Sequence, residues 1–326
     1  MIRIAIAGYG NLGKGVEAAV VNAPDMELVG IFTRRSPQGI TSESGVKVLP
    51  FDDLWNMEND IDVVINCMGS ATDLPETTPL IASKFNVVDS FDTHANIPEH
   101  FDKVNEAALS GGKIGIISSG WDPGLFSLMR IYMESALPEG KTYTFWGRGV
   151  SQGHSDAIRR IPGVKDARQY TVPVEASMEK VRRGEEPVFE TRDMHTRECF
   201  VVAAEDGDKA AIEKQIVEMP NYFADYNTSV TFIDEEELEN NHKGLPHAGN
   251  VIRSGVTGLK GQEGNTLEFS LKLDSNPLFT GSVLAATARA AYRLFGKGET
   301  GGRTVLDIPP AFYSPEDMEE LRKHIL

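Results

Sequence analysis

The sequence predicts an α/β protein of two domains, a doubly wound parallel sheet followed by an α+β domain with a mixed sheet. Short apolar runs alternate with amphipathic segments up to about residue 120, which is typical of parallel strands covered by helices. Beyond that point, segments with strand character outnumber helical ones. We therefore assign residues 1–122 to the first domain and 123–276 to the second, and expect the helices of about 277–326 to pack back onto the first.

The individual elements follow from local patterns. Apolar runs predict strands of the first domain at residues 2–7, 25–32, 62–67, 86–89 and 114–117. Apolar side chains at helical spacing predict its helices at residues 11–21, 75–83 and 98–110. Strands of the second domain are expected at residues 142–146, 169–174, 197–203, 229–233 and 266–273. Further helices are expected at residues 209–219, 282–295 and about 315 to the end.

A glycine motif follows the first strand directly and indicates a ligand class. Residues 8–13 read GYGNLG, a GxGxxG pattern between a predicted strand and a predicted helix. In such a unit the first glycine permits the tight turn, the second lets the backbone approach a pyrophosphate, and the third lets helix and strand pack closely. We predict a Rossmann-type dinucleotide site here; a glycine turn without a ligand is the alternative. The predicted contacts are Gly8, Tyr9, Gly10, Asn11, Leu12 and Gly13.

The end of the second predicted strand selects the form of the cofactor. Sites for NAD usually place an acidic side chain there, which binds the ribose 2′-hydroxyl. This chain has Thr33, Arg34 and Arg35 instead, and a guanidinium binds phosphate through a planar, always-charged fork. We predict NADP(H), with these three residues around the 2′-phosphate. Two solvated arginines on a loop are the alternative.

Composition and charge exclude several classes of binding partner and site. The 326 residues carry 32 basic and 48 acidic side chains, and the formal net charge of −16 argues against nonspecific binding to nucleic acid or to a membrane surface. Cys67 and Cys199 lie far apart and the 7 histidines form no HExxH motif, so we expect neither a disulfide framework nor a metal site. The chain runs directly into a strand and holds no long apolar stretch, so we expect a cytoplasmic protein.

Three polar loops follow strand ends in the first domain, at residues 68–72, 91–92 and 118–124. Ligands of doubly wound sheets bind beyond the carboxyl ends of the strands, so these loops are candidate ligand contacts. Asp92 could bind a substrate ammonium or act as a general base, unless it only forms a turn. Asp122 could equally be a helix N-cap, whereas Trp121 beside it offers an apolar plane that favours a site.

The second domain also contains candidate binding residues. Residues 145–156 are rich in glycines, hydroxyls and amides, so their backbone N–H groups could bind a carboxylate; a structural hairpin is the alternative. Arg197, near a strand start, could clamp a carboxylate or lie on the surface. His247 stands in a predicted loop, and Asn276 precedes a proline, where turn formation alone would suit it.

Together these motifs resemble those of the meso-diaminopimelate D-dehydrogenases, NADP-dependent enzymes of bacterial lysine and cell-wall metabolism. The matching stretches run from the first domain to the last, and the long string at 151–164 is much more specific than the glycine motif. They are GYGNLG (8–13), CMGSATD (67–73), SSGWDPG (118–124), TFWG (144–147), SQGHSDAIRRIPGV (151–164), CFVVA (199–203), LPHAGN (245–250) and LKLDSNP (271–277).

The resemblance implies reversible oxidative deamination at the D-centre of meso-2,6-diaminopimelate. The products would be ammonia, NADPH and L-2-amino-6-oxopimelate, which cyclises to tetrahydrodipicolinate. The family is typically homodimeric, so the second domain would bind substrate and form the dimer.

The resemblance also assigns roles to individual residues. It places Asp92 and Asp122 near the reacting amino group. Around the substrate it places Trp121, Trp146, Ser151, Gln152 and Gly153, and at the distal L-amino-acid end Thr171, Arg197, His247 and Asn276. Further expected cofactor contacts are Cys67, Met68, Gly69, Ser70, Ala71, Thr72, Ser90, Phe91, Asp92 and Asn276.

The residue types agree with this chemistry. Hydride can leave only from a carbon that bears a neutral amine, so Asp92 or Asp122 must first take a proton, directly or through water; the sequence leaves open which one does. Two other functions are considered. One is another Rossmann reductase of amino-acid metabolism, similar to dihydrodipicolinate reductase, and the other is a redox sensor that binds NADP without catalysis.

Overall fold

Strands and helices alternate at the start of the chain, and strands dominate its middle. The computed structural model describes residues 1–326. Its strands are β1 (Ile2–Ala7), β2 (Met26–Thr33), β3 (Val48–Pro50), β4 (Val63–Asn66), β5 (Asn86–Asp89), β6 (Ile114–Ile116), β7 (Gly140–Trp146), β8 (Gly149–Val150), β9 (Val164–Pro173), β10 (His195–Ala203), β11 (Asn227–Phe232), β12 (His247–Thr257), β13 (Glu263–Leu273) and β14 (Gly301–Arg303). Its α-helices are α1 (Asn11–Val21), α2 (Leu74–Ala82), α3 (Ile97–Gly111), α4 (Leu125–Ala136), α5 (Gln152–Arg159), α6 (Glu175–Arg182), α7 (Thr191–Met194), α8 (Lys209–Val217), α9 (Glu235–His242), α10 (Asn276–Gly296) and α11 (Met318–His324).

The first of two compact units comprises Met1–Leu128 and Pro277–Leu326. It contains a seven-stranded sheet in the order β14-β6-β5-β4-β1-β2-β3, and every neighbouring pair is parallel. The predicted Rossmann-type sheet is therefore confirmed. The chain builds the sheet outward in one direction from β1 and then in the other from β4. Ligands of such sheets bind beyond the carboxyl ends of the strands, where this order reverses.

Both faces of the seven-stranded sheet are buried, which explains why its strands have nearly continuous apolar sequences. On one face, Ile4 belongs to a buried cluster with Leu284 of α10. On the other face, Ala5 belongs to a cluster with Ile81 of α2 and Val104 of α3. The glycine motif thus follows a strand that is fixed from both sides.

The second unit, Met129–Asn276, carries two smaller sheets. The four-stranded sheet has the order β11-β10-β9-β8, and it is mixed, because β10 and β11 are parallel while the other pairs are antiparallel. The three-stranded sheet, β13-β12-β7, is antiparallel. The predicted mixed-sheet domain is confirmed. Ile158 of α5 and Ile216 of α8 pack with Val201 of β10, which anchors the helix that begins at residue 152.

Several elements differ from the sequence prediction. The helix expected at 282–295 begins at Asn276, and the final helix covers only Met318–His324. Helices α4, α6 and α9 and strand β12 were not predicted from the sequence. Within β12, a Cβ on Gly255 would lie 2.1 Å from the carbonyl oxygen of Glu139, so this glycine permits close approach of a neighbouring segment rather than a turn.

Candidate functional site

The glycine motif lies at the carboxyl end of β1, where the strand order reverses. Gly8 has a left-handed φ of +94°, and a Cβ on Gly13 would lie 2.3 Å from the Gly8 carbonyl oxygen. Beyond its chain neighbours, nothing lies within 4 Å of the position where Gly10 would carry a Cβ. The first and third glycines are therefore required by the turn and the packing, and the second leaves open space at the start of α1. These features fit a dinucleotide pyrophosphate.

Tyr9 points away from this open space. Its side chain is 4% exposed, and its hydroxyl donates to the Glu17 carboxylate on α1. Burial and this hydrogen bond raise the pKa of Tyr9 to about 12. Only the backbone of Tyr9 is therefore available to a cofactor.

Two arginines follow β2 beside a cavity of about 330 Å³. The Arg34 guanidinium lies 2.6 Å from an Asp73 oxygen and holds the pKa of that carboxyl below its usual range. The Arg35 guanidinium donates to the Tyr9 carbonyl oxygen, and its backbone N–H donates to Thr33 Oγ1 over 3.2 Å. Both cations are held in place by the chain, which suits a phosphate site. The cavity is lined by Thr33, Arg34, Arg35, Ser36, Pro37, Pro50, Phe51 and Asp52.

The loop after β4 contacts the loop after β5 through two predicted site residues. Ser70 Oγ donates to Asp92 Oδ1 over 2.5 Å, and the Asp92 backbone N–H donates back to Ser70 Oγ over 3.1 Å. Cys67 and Phe91, also predicted as cofactor contacts, have buried side chains, so their backbones alone can reach a ligand. Asp92 is thus attached to the loop that we expect to bind cofactor.

A buried carboxylate beneath this edge connects two of the loops. Asp89 Oδ1 accepts the backbone N–H groups of Phe91, over 3.1 Å, and of Ser118, over 2.9 Å. Asp89 Oδ2 lies 2.7 Å from His100 Nε2, and both side chains are buried. The loops that carry the two candidate catalytic acids are therefore fixed by the same side chain.

Trp121 and Asp122 lie in the turn between β6 and α4. The helix begins at Leu125, three residues after Asp122. The turn is closed by a hydrogen bond from the Phe126 N–H to the Trp121 carbonyl oxygen, over 2.8 Å. The Trp121 ring packs edge-on against the Phe126 ring, with centroids 5.3 Å apart.

Arg197 is a buried cation in the second unit. It is 7% exposed, its Nη1 donates to Thr171 Oγ1, and its guanidinium carbon lies 3.8 Å from the centroid of the Tyr226 ring. Its Nε is buried and has no hydrogen-bond partner. Burial lowers the pKa of Arg197; Tyr226 opposes this shift, but no carboxylate of the chain does. A buried cation without a countercharge is unfavourable unless a ligand supplies the anion.

Residues 152–159 form helix α5 rather than the glycine-rich loop that we expected. Ser151 is the N-cap residue, and its Oγ accepts the backbone N–H of His154 over 3.4 Å and lies 2.7 Å from His154 Nδ1. Burial and the charge of Arg197 lower the pKa of His154 to about 4, so the ring is neutral at physiological pH. Gln152 and Gly153 thus belong to the first turn of α5. His154, in the same turn, interacts with the N-cap residue Ser151 and is affected by the charge of Arg197.

His195 was not among the residues predicted from the sequence. The Trp146 backbone N–H donates to His195 Nε2 over 2.8 Å, and the two rings stack with centroids 5.5 Å apart. His195 is 5% exposed, and burial together with the charge of Arg197 lowers its pKa to about 4. The only available signal was its position two residues before Arg197, which places both side chains on one face of β10.

His247 and Asn276 complete the predicted set. His247 is the first residue of β12 rather than a loop residue, and a Cβ on Gly149 would lie 3.2 Å from its Cα. Gly149 pairs with Thr171 across β8 and β9, so His247 and Thr171 flank the same short strand. Asn276 is the first residue of α10, and its N–H donates to the Leu245 carbonyl oxygen over 3.0 Å.

Other site types receive no support. No group of three or more His, Cys, Asp or Glu side chains could hold a metal ion. Cys67 and Cys199 are buried free thiols, and burial raises the pKa of both, that of Cys199 to about 12. No helix is both long and apolar enough to span a bilayer.

Comparison with known proteins identifies the family. Residues 120–275 match the family model described as the diaminopimelic acid dehydrogenase C-terminal domain. A meso-diaminopimelate D-dehydrogenase of Ureibacillus thermosphaericus is 59% identical over 327 residues, which cover 100% of this chain and 99% of the relative. The chain belongs to the meso-diaminopimelate D-dehydrogenase family. The resemblance inferred from the motifs is thereby confirmed.

Solved structures agree with this family. The Corynebacterium glutamicum diaminopimelate dehydrogenase in complex with diaminopimelate is 46% identical, with a TM-score of 0.89 and coverage of 100% of this chain and 99% of that one. An engineered D-amino acid dehydrogenase bound to NADP+ is 45% identical, with a TM-score of 0.84 and the same coverage, 100% and 99%. The two other functions, a dihydrodipicolinate-reductase-like enzyme and a non-catalytic sensor, are not supported.

Proposed function

We propose that this chain catalyses the reversible NADP-dependent oxidative deamination of meso-2,6-diaminopimelate at its D-centre, in lysine biosynthesis. The products are ammonia and L-2-amino-6-oxopimelate, which cyclises to tetrahydrodipicolinate. One observation on the chain itself carries the proposal. Arg197 is a buried cation that no carboxylate of the chain neutralises. The second carboxylate of a diamino diacid supplies the missing countercharge, whereas a simple amino acid does not.

The cofactor is assigned to residues of the first unit and to Asn276 of the second. We propose that the backbone of residues 8–13 holds the pyrophosphate, because Gly10 leaves open space at the start of α1. Thr33, Arg34 and Arg35 line a cavity that suits the 2′-phosphate. Residues 67–72 and 90–92, together with Asn276, complete the proposed contacts. When bound, the nicotinamide supplies the acceptor for the hydride of the D-carbon.

The two acids at the strand ends provide the proton chemistry. We propose that Asp92 or Asp122 takes a proton from the substrate ammonium, which leaves the neutral amine that loss of hydride requires. Loss of hydride from the carbon then gives an iminium ion, to which water adds with release of a proton before ammonia departs. Asp92 Oδ1 already accepts a hydrogen bond from Ser70 Oγ. If Asp92 is the base, its Oδ2 therefore receives the proton. Trp121 lies beside Asp122 and would offer an apolar plane to the substrate.

The distal end of the substrate is assigned to the second unit. We propose that Arg197 and Thr171 bind the distal carboxylate, and that His247 and Asn276 contact the same L-amino-acid end. Trp146 and residues 151–153 would line the substrate chain. The neutral His195 and His154 place no second positive charge beside Arg197 at physiological pH. Shorter D-amino acids leave Arg197 unpaired, which supplies selectivity for chain length.

A comparison of stereoisomers tests this function. The purified protein is mixed with NADP+ and, separately, with the meso, L,L and D,D isomers of diaminopimelate, and the absorbance of NADPH is followed. We expect strong turnover with the meso isomer alone. Turnover of the L,L isomer would contradict the assignment to the D-centre. Binding of NADPH with no turnover of any isomer would contradict the catalytic function.

We also propose that residues 123–276 form the substrate-binding domain and the interface of a homodimer. Leu267, Phe269 and Leu271 alternate along the edge strand β13, so they share one face of its sheet. Most of this 11-residue strand is exposed, including Leu267 at 36%. An apolar row that is exposed at Leu267 and half-buried at Phe269 and Leu271, on a long edge strand, favours association, and a second copy of the chain would bury it.

The molar mass in solution tests the dimer. Light scattering during gel filtration should give twice the chain mass for the wild type and the single mass for Leu267→Lys, which places a charge in the apolar row. Ser270→Lys adds the same charge on the opposite face of β13 and should remain dimeric. A monomeric wild type, or a Leu267→Lys variant that stays dimeric, would contradict this interface.

We infer that the enzyme works in the cytoplasm. Cys67 and Cys199 are both free thiols, as is usual in a reducing compartment. Fractionation of the producing cells should recover the activity with the cytoplasmic markers, and recovery in the membrane fraction would contradict the inference.

A further inference from the structure

The connection between α8 and β11 brings three aromatic rings to the binding residues of the second unit. The rings of Tyr222 and Phe223 pack edge-on against the His154 ring, with centroids 5.2 and 5.5 Å away. The ring of Tyr226 faces Arg197, with its centroid 3.8 Å from the guanidinium carbon. The segment 222–226 therefore contacts both His154, which interacts with the N-cap residue Ser151, and the buried cation Arg197.

Tyr226 is itself fixed by the core and by the sheet. Its backbone N–H donates to the Phe223 carbonyl oxygen over 2.9 Å, and Phe223 is fully buried in the cluster beneath β10. Tyr226 immediately precedes β11, which pairs in parallel with β10 so that Asn227 lies opposite Thr196. The Tyr226 ring therefore approaches Arg197 from a defined position on the neighbouring strand.

Arg197 has few other contacts that fix the orientation of its guanidinium. Thr171 Oγ1 accepts from Nη1, whereas Nε has no partner. Arginine loses much rotamer freedom when it is held in one orientation, and a ligand must supply that free energy if the protein does not. An aromatic face within 6 Å attracts a guanidinium, and more strongly where water is excluded. Tyr226 meets both conditions, because Arg197 is 7% exposed.

We propose that Tyr226 is a specificity-determining positioning residue, whose ring face holds Arg197 ready for the distal carboxylate. This inference rests on the proposed function, because it assumes that Arg197 binds that carboxylate. Tyr226 then affects how tightly the distal L-amino-acid end of the substrate binds, and not the rate of the chemical step at the D-centre. Its removal raises KM for diaminopimelate and leaves kcat nearly unchanged.

Two substitutions at Tyr226 separate the ring from the hydroxyl. Tyr226→Leu removes the aromatic face, and we expect KM for meso-diaminopimelate to rise at least fivefold with kcat within twofold of the wild type. Tyr226→Phe keeps the face, and we expect both constants within twofold. NADPH affinity and melting temperature, measured on each variant, establish that the fold is intact. Tyr226→Met replaces the leucine variant if the latter fails to fold.

The double variant shows whether Tyr226 acts through Arg197. Arg197→Met alone should raise KM, and adding Tyr226→Leu to it should lower kcat/KM no further. An unchanged KM in Arg197→Met would refute the distal assignment in the proposed function. A raised KM there with an unchanged KM in Tyr226→Leu would refute the present inference alone. Equal losses in the leucine and phenylalanine variants, or full additivity in the double variant, would also overturn it.

Discussion

Arg197→Met should separate substrate binding from stability. Methionine has nearly the length of arginine and no charge, so the change removes the guanidinium while it retains most of the packing. A hydrogen bond to a charged group contributes about 1.5–3 kcal/mol, and loss of the distal contact should therefore raise KM about 10- to 150-fold. We expect kcat/KM to fall by the same factor, because the distal end is bound equally in the ground state and the transition state.

The same change should cost the fold little. The folded protein loses one hydrogen bond from a charged group to Thr171, about 1.5–3 kcal/mol, and the contact with Tyr226, about 1–2 kcal/mol. The substitution also removes a buried charge that no carboxylate of the chain neutralises. Removal of such a charge commonly stabilises a protein by a similar amount. The melting temperature should therefore stay within a few degrees of the wild type.

Steady-state kinetics and thermal melting, measured on the same preparations, test both statements. Arg168→Met is a matched control, because Arg168 lies on β9 and forms an ion pair with Asp166. The control should leave KM unchanged. If Arg197→Met kept its KM and lost many degrees of melting temperature, Arg197 would be a structural residue and the reasoning would be refuted.

Three further changes test other parts of the site. Arg34→Asp should weaken NADPH binding at least about tenfold, because it places a carboxylate where a guanidinium binds phosphate and leaves Asp73 without its partner; fluorescence titration measures this, and an equal loss of NADH affinity would contradict it. Asp122→Asn should lose most of kcat and retain NADPH affinity in the same titration, whereas full activity would remove Asp122 from the proton chemistry. His195 has its pKa lowered from 6.5 to about 4, so the unfolded chain binds a proton there as the pH falls through this range and the folded chain does not. The stability that the neutral ring contributes is therefore complete above pH 6.5 and is lost towards pH 4, by about 3 kcal/mol in all. Urea unfolding across this range should show the loss, and an equal loss in His195→Gln would assign it to other groups.

The fold of the first unit was predictable because its signals are local. A buried parallel strand, a glycine turn and an amphipathic helix each leave a pattern within a few residues, as at β1 and α1. The second unit offers weaker patterns. The glycines and hydroxyls of residues 152–159 predict a loop, although Ser151 is a good N-cap residue and its Oγ accepts the His154 N–H.

The loops at residues 68–72, 91–92 and 118–124 were predicted as ligand contacts from their positions after strands, and that position is readable in a sequence. The roles of His195 and Tyr226 are not readable in this way, because each depends on a contact between distant segments. His195 bonds the backbone of a residue 49 positions away. Tyr226 meets Arg197 only because β10 and β11 lie side by side. No periodicity in one sequence reports such a contact.

The hydrogen bonds between Ser70 and Asp92 have a consequence for how the enzyme responds to its two ligands. With the roles proposed above, the cofactor contacts both Ser70 and Asp92, and the amino acid contacts Asp92 as well. Thermodynamic reciprocity then requires that the factor by which cofactor changes the affinity for amino acid equals the factor in the opposite direction. If the coupling is favourable, a high concentration of NADP therefore also lowers the concentration of amino acid at which half of the enzyme has amino acid bound.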